Sequence, residues 1–246
     1  MYLIGDIGNT ETKIFYYSKN FSLIKKFRFK TLYINKKFLQ RKLKFLNNKK
    51  FKFSLFCSVV PSSFRIIKRY LEHTYKNKCY ELKELNLSNH LEIKVNKKQI
   101  GSDRLANAIS ILNKSSNYIV VDFGTATNFD VIIGRKYVGG ILAPGVQLSL
   151  NSLSDKASLI PKIKLEKSTN VIGKNTVSAL RSGFYHGYTG LIDNIIKLII
   201  KQKKKKFRII LTGGFSNLFK NSIYGNKKVV KDLTIKGVLK VAKTIK

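Results

Sequence analysis

Two short segments of this chain share one chemistry. Asp6-Ile7-Gly8-Asn9-Thr10 and Asp122-Phe123-Gly124-Thr125-Ala126 each follow a β-rich apolar run, Tyr2-Leu3-Ile4 and Tyr118-Ile119-Val120-Val121. Each then enters a second stretch able to form a strand, residues 13–17 and 129–133. An Asp, a Gly and a hydroxyl or amide residue at the tip of a strand–turn–strand form a grip for phosphate. Glycine lets the backbone approach an anion, and successive N–H groups with a Thr hydroxyl supply donors. The Asp, itself negative, needs a cation or a positioned proton beside the phosphates. Two such tips facing each other across a cleft would hold a nucleoside triphosphate.

A third constellation is Gly101-Ser102-Asp103-Arg104, followed by Leu105, Ala108, Ile109 and Leu112 at helical spacing. Asp103 and Arg104 thus fall in the first turn of a helix. Unpaired N–H groups there favour anions, and Arg104 offers a fork suited to a carboxylate. A carboxylate at that position is expected to have a lowered proton affinity. For phosphoryl transfer through a loose transition state, Asp103 need only orient a hydroxyl and take its proton late. On spacing alone, it serves equally well to stabilise the helix terminus. Gly139-Gly140-Ile141-Leu142-Ala143-Pro144-Gly145 leaves a strand and enters a helix, its glycines either admitting a close backbone approach or punctuating a turn. Leu211-Thr212-Gly213-Gly214 suits a nucleoside lying flat on bare backbone, or a tight turn. His73, His90 and His186 are dispersed, with no pair at metal-ligand spacing, and no serine sits in a Gly-x-Ser-x-Gly turn, so a Ser–His–Asp hydrolase is not indicated.

The elements that must position these residues follow from hydrophobic periodicity. The first half reads as strands at 2–5, 13–17 and 23–29, then an amphipathic helix at 35–47 with Phe38, Leu39, Leu43 and Leu46 on one face. A buried strand at 53–60, a helix from Pro61 to about residue 73, strands at 79–82 and 91–95, and a helix opening at Ser102 complete it. The second half repeats the theme, with strands at 118–122, 129–133 and 136–142 and helices at 146–154 and 176–200, the latter expected to break near Gly187 or Gly190. An exposed loop at 203–206, a strand at 207–212 and a closing helix at 233–244 follow. Three hairpin-linked strands followed by alternating helices and strands therefore occur twice. That duplication points to an α/β chain with the two-lobed actin-like, ribonuclease H-like phosphotransferase fold, its lobes at residues 1–114 and 115–246.

Composition narrows the function classes. The 246 residues suffice for one or two domains, and 43% hydrophobic residues mark a folded chain. The apolar stretch at 191–200 is cut by Asp193, Asn194 and Lys197, so no membrane span or membrane partner is expected. Asp6 interrupts the first apolar run and no basic leader precedes it, which argues against a signal peptide. Cys57 lies in an apolar run and reads as a buried free thiol, in keeping with a reducing cytoplasm. The net charge of +35 comes mostly from lysine scattered from end to end. Lysine is a flexible point charge, whereas base and phosphate recognition favours Arg forks. No specific nucleic-acid partner is therefore expected, although polyanions will adhere non-specifically.

Together these pieces resemble the type III pantothenate kinases over nearly the whole chain. The family's opening Asp-x-Gly-Asn-Thr-x-x-Lys loop corresponds to Asp6-Ile7-Gly8-Asn9-Thr10-Glu11-Thr12-Lys13, and its Gly-x-Asp-Arg motif to Gly101-Ser102-Asp103-Arg104. Asp122 to Ala126 stands as the second phosphate loop, residues 139–145 as the Gly-Gly-x-x-x-Pro-Gly segment, and Gly173-Lys174-Asn175-Thr176 as Gly-x-Asn-Thr. The resemblance implies ATP-dependent phosphorylation of the primary hydroxyl of pantothenate, the first step toward coenzyme A. It implies Asp103 as general base, Asp6, Ile7, Gly8, Asn9, Thr10, Glu11, Thr12, Lys13 and Thr125 at ATP, and Gly101, Ser102, Asp103, Arg104 and Thr176 at pantothenate. It further implies a potassium or ammonium ion on Asp122, magnesium with ATP, and a homodimer whose pocket is completed at the subunit interface.

One segment departs from the family pattern. Where the family carries Tyr-x-Asn-Pro, this chain has Lys94-Val95-Asn96-Lys97. Lys94 either pairs with the substrate carboxylate or leaves the pocket loose. Two other readings compete with the resemblance. A related small-molecule kinase such as a sugar kinase would share both phosphate loops but has no reason for Gly-x-Asp-Arg beside Gly-x-Asn-Thr. An idle nucleic-acid-binding or regulatory relative would suit the charge, but has no physical need of Asp6, Asp103 and Asp122.

Overall fold

The computed structural model describes every residue except Asn48, Lys50, Lys114 and Lys246. The chain forms two compact units, residues 1–112 with 232–246, and residues 113–231.

In the first unit the strands are β1 (Tyr2–Ile7), β2 (Glu11–Tyr17), β3 (Leu23–Lys30), β4 (Phe53–Ser58), β5 (Cys79–Glu81) and the short β6 (Glu92–Ile93). Its helices are α1 (Lys36–Lys42), α2 (Pro61–Tyr75) and α3 (Ser102–Ile111). The sheet order is β3-β2-β1-β4-β5, with the three leading strands antiparallel and β1, β4 and β5 parallel. Central β1 is buried along almost its whole length, as a strand covered on both faces requires. Edge strand β3 alternates Lys25, Lys26, Arg28 and Lys30 with its apolar residues, a charge pattern that blocks pairing with another chain. Pro61 opens α2 at a position where its missing N–H costs nothing.

The second unit contains β7 (Asn117–Phe123), β8 (Ala126–Ile133), β9 (Lys136–Pro144), α4 (Val146–Lys156), α5 (Thr176–Lys203), β10 (Arg208–Gly213), α6 (Ser216–Phe219) and β11 (Lys227–Val229). Within it the strands run β9-β8-β7-β10-β11, with β7, β10 and β11 parallel. This is the order of the first unit repeated. Each unit has its own core, one built around Leu3, Ile14, Phe56 and Ile67, the other around Val121, Phe129, Ile192 and Leu211.

Four features differ from the sequence reading. The helix expected at 35–47 stops at Lys42 and continues as a 3₁₀ turn over Lys44–Leu46. Leu43 and Leu46 are both fully buried, and a three-residue turn is what brings them to the same core. Helix α5 runs unbroken through Gly183, Gly187 and Gly190. A central glycine costs only ~1 kcal/mol, and here a reciprocal Asn175–Ser178 cap and the burial of Tyr185, Ile192, Ile196 and Ile199 outweigh it. The sequence reading also missed the short α6 and β11. Finally, the closing helix α7 (Leu233–Ala242) belongs with the first unit and not with the second half of the chain. It packs on α3, where Gly237 lies against the Ala106 backbone and Thr234 donates to Asn107 Oδ1 at 3.0 Å. The boundary expected at 114 falls on Lys114, outside the described residues.

Candidate active site

The first phosphate loop is the tip of the β1–β2 hairpin. Gly8 N donates to Glu11 O at 3.0 Å to close the turn. Thr31, buried at the end of β3, holds the loop from the side. Its hydroxyl donates to Gly8 O at 2.6 Å, its N–H donates to Thr10 O at 3.0 Å, and its oxygen lies 2.9 Å from Thr12 Oγ1. Asp6, on β1, stands opposite Lys13 in the sheet register. The Lys13 ammonium sits 3.9 Å from Asp6, 3.9 Å from Glu11 and 3.7 Å from Asp232, and Arg28 also donates to Asp232, at 2.7 Å to Oδ2. The Lys13 ammonium is thus held among three carboxylates at the base of the loop.

The Gly101–Arg104 segment opens α3 in the same unit. Asp103 is half-buried, and loss of water around it pushes its carboxyl above the usual range. The Arg104 N–H, 2.8 Å from Asp103 Oδ1, and the Arg104 charge oppose the rise without cancelling it. The proton affinity is thus raised and not lowered as expected, because desolvation outweighs the Arg104 charge and the backbone N–H bonds. A raised proton affinity makes Asp103 a better base than the sequence suggested. Gly101 is needed here, since a Cβ on it would collide with the Asp103 carboxylate.

Asp6 and Asp103 both act on one buried thiol. Cys57 Sγ lies 3.5 Å from Asp6 Oδ1, and the charges of Asp6, Asp103 and Glu81 together with burial drive the thiol well up. Two of the three carboxylates singled out by sequence therefore flank the same point at the end of β4. Cys57 and Cys79 are both free and buried.

The second phosphate loop is the tip of the β7–β8 hairpin, with Gly124 N donating to Ala126 O at 3.1 Å. Glycines bring main chain close behind it. Gly213 adopts φ +86°, a conformation side chains rarely take, and a Cβ there would lie 2.5 Å from Phe123 O and 2.6 Å from Asp122 Oδ1. Gly214 N donates to Phe123 O at 3.0 Å, and Gly145 caps α4 while backing onto the Thr125 carbonyl. Thr176 is the first residue of α5, exposed beside the Asn175 cap.

Lys94 pairs with Glu92 and is half exposed, while Lys97 donates to Leu85 O at 3.2 Å. Sequence reasoning also missed Thr31, Glu81, Lys83 and Asp232. The scarcity of acid, 13 Asp and Glu against 48 basic residues, was the signal available, because each carboxylate in such a chain merits a question.

The strand order and the twin hairpin tips place the chain in the actin-like, sugar-kinase class of phosphotransferase folds. A solved protein from Sinorhizobium meliloti, provisionally described as a 2-dehydro-3-deoxygalactonokinase, is similar in fold, with a TM-score of 0.63 and 10% identity over 98% of each chain. Within that class, the family model for type III pantothenate kinase matches residues 2–198. A type III pantothenate kinase of Pelagibacter ubique (strain HTCC1062) is 55% identical over all of both chains, and one from Sulfurihydrogenibium sp. (strain YO3AOP1) is 34% identical over 97% of this chain and 98% of its own. The chain belongs to the type III pantothenate kinase family, a family of ATP-using kinases. Among the described residues, no helix is long and apolar enough to cross a membrane.

Proposed function

We propose that this chain transfers the γ-phosphoryl group of ATP to the primary hydroxyl of pantothenate, with Asp103 as the base. The observation that carries the assignment is a half-buried carboxylate of raised proton affinity at the start of α3, next to Arg104 and on the same unit as the Asp6 loop. Asp103 orients the hydroxyl and accepts its proton as the new O–P bond forms. The bond from the γ-phosphorus to the bridging oxygen breaks, and ADP leaves. Arg104 suits the pantothenate carboxylate through its fork. Gly101 and Ser102 shape the backbone beside it, and Thr176 adds a hydroxyl.

Lys13 and the loop from Asp6 to Thr12 meet the phosphates at the first tip, and Thr125 donates at the second. A monovalent cation on Asp122 and magnesium with ATP supply further positive charge when bound. Leu148, Leu153, Leu159, Val171 and Ile172 of the second unit are exposed, and a homodimer would cover such apolar side chains. The buried free thiols suit a reducing cytoplasm.

An acceptor panel with labelled ATP tests the assignment. Pantothenate is labelled, hexoses are not, and ADP release rises with potassium. Hexose labelling without pantothenate labelling would move the chain to another kinase of the class.

A further inference from the structure

The segment that leads into Gly101 has no proline to stiffen it, yet it is tied down at both ends. Residues 97–99 form a 3₁₀ turn capped by Asn96, whose side chain accepts from Lys98 N at 3.0 Å. Across from it runs the tripeptide Glu81-Leu82-Lys83, with Leu82 fully buried. The Lys83 ammonium donates to Lys98 O at 2.8 Å and to Ile100 O at 2.7 Å. The Glu81 carboxylate accepts from the Ser102 hydroxyl, from Ser58 N at 3.3 Å and from Lys83 N at 2.6 Å. One tripeptide therefore grips the backbone before Gly101 and the side chain after it, and Asp103 is the next residue along.

A lysine left to solvent keeps its rotamer freedom. One fixed on two carbonyls has given it up and makes charge-assisted bonds in return. A surface role needs neither bond. A substrate motif does need its approach segment fixed, because a displacement of ~1 Å at a reacting group can cost about 10²-fold in rate.

We infer that Glu81 and Lys83 are positioning residues for the Gly101–Arg104 segment, taking over with two side chains the stiffness that a proline would otherwise give. This rests on the reading of Gly101–Arg104 as the pantothenate motif. Neither residue touches the reacting atoms.

The test compares Lys83→Met, Lys83→Arg, Glu81→Gln and Asp103→Asn with the unaltered enzyme, measuring kcat, both KM values, melting temperature and amide exchange over residues 96–104. Lys83→Met is expected to raise KM for pantothenate about tenfold, leave KM for ATP unchanged and speed exchange in that segment. Lys83→Arg restores most of the loss, and Glu81→Gln gives a smaller change in the same direction. Unchanged KM for pantothenate in Lys83→Met, or equal changes for both substrates alongside a lower melting temperature, overturns the inference. Full turnover in Asp103→Asn would instead sink the motif reading itself, so the two failures are told apart.

Discussion

The hairpin tip of the first unit and that of the second are built on the same strand order and closed by the same kind of bond, a glycine N–H on a carbonyl. They differ in what stands behind them. Behind the first are side chains and charge: Lys13 among Asp6, Glu11 and Asp232, Arg28 on Asp232, and the Thr31 hydroxyl on the loop. Behind the second is main chain brought close by Gly213, Gly214 and Gly145. A charged surround can be tuned to a ligand's charge and responds to salt. A backbone surround cannot be retuned without steric conflict, and admits a flat or tightly held group. The duplicated scaffold thus carries two hairpin tips of different chemistry, one flanked by charged side chains and one by close main chain.

Potassium dependence should break this comparison most visibly. Asp122→Asn is predicted to lower turnover about 10²-fold and to abolish the response to potassium, whereas Asp6→Asn weakens ATP use but keeps that response. Equal loss of the potassium response in both would erase the distinction between the tips. Next in size, Gly213→Ala forces a side chain into a left-handed backbone and against Asp122, and should raise KM for ATP about tenfold. An unchanged KM would mean that the bare backbone is only a turn. Asp232→Asn removes one partner each from Lys13 and Arg28 in a partly exposed network, so an effect of about threefold or less on KM for ATP is expected, shrinking further at high salt. The smallest is Thr31→Val, which keeps shape but loses the hydroxyl bonds to the loop. A melting temperature lower by about 2–4 °C is the predicted outcome.

What the sequence made legible was local. The twin tips, the Gly-Ser-Asp-Arg segment and the helix start at Thr176 are contiguous, and turn and helix-start chemistry is written in neighbouring residues. Glu81, Lys83, Thr31 and Asp232 were not legible, because each acts on a partner far along the chain, as when Arg28 meets Asp232 204 positions away. The proton affinity of Asp103 was read with the wrong sign for a related reason. Its place at a helix start is visible in sequence, whereas its burial is produced by elements packed from elsewhere. Helix α7 shows the same limit: nothing local in residues 233–242 says that they pack on α3.

The raised proton affinity of Asp103 also sets a sign for stability. A carboxyl whose folded value lies above its unfolded value contributes stability that is fully present below the unfolded value and is lost as pH rises through the folded one. The ionised form of Asp103 is therefore a cost to the fold, and Asp103→Asn relieves it. The most direct measurement is turnover of pantothenate by Asp103→Asn together with its melting temperature at pH 7. The account predicts a fall in kcat of about 10²–10⁴-fold in a protein that melts no lower than the unaltered enzyme. Undiminished turnover, or lost turnover explained by a lower melting temperature, would contradict it.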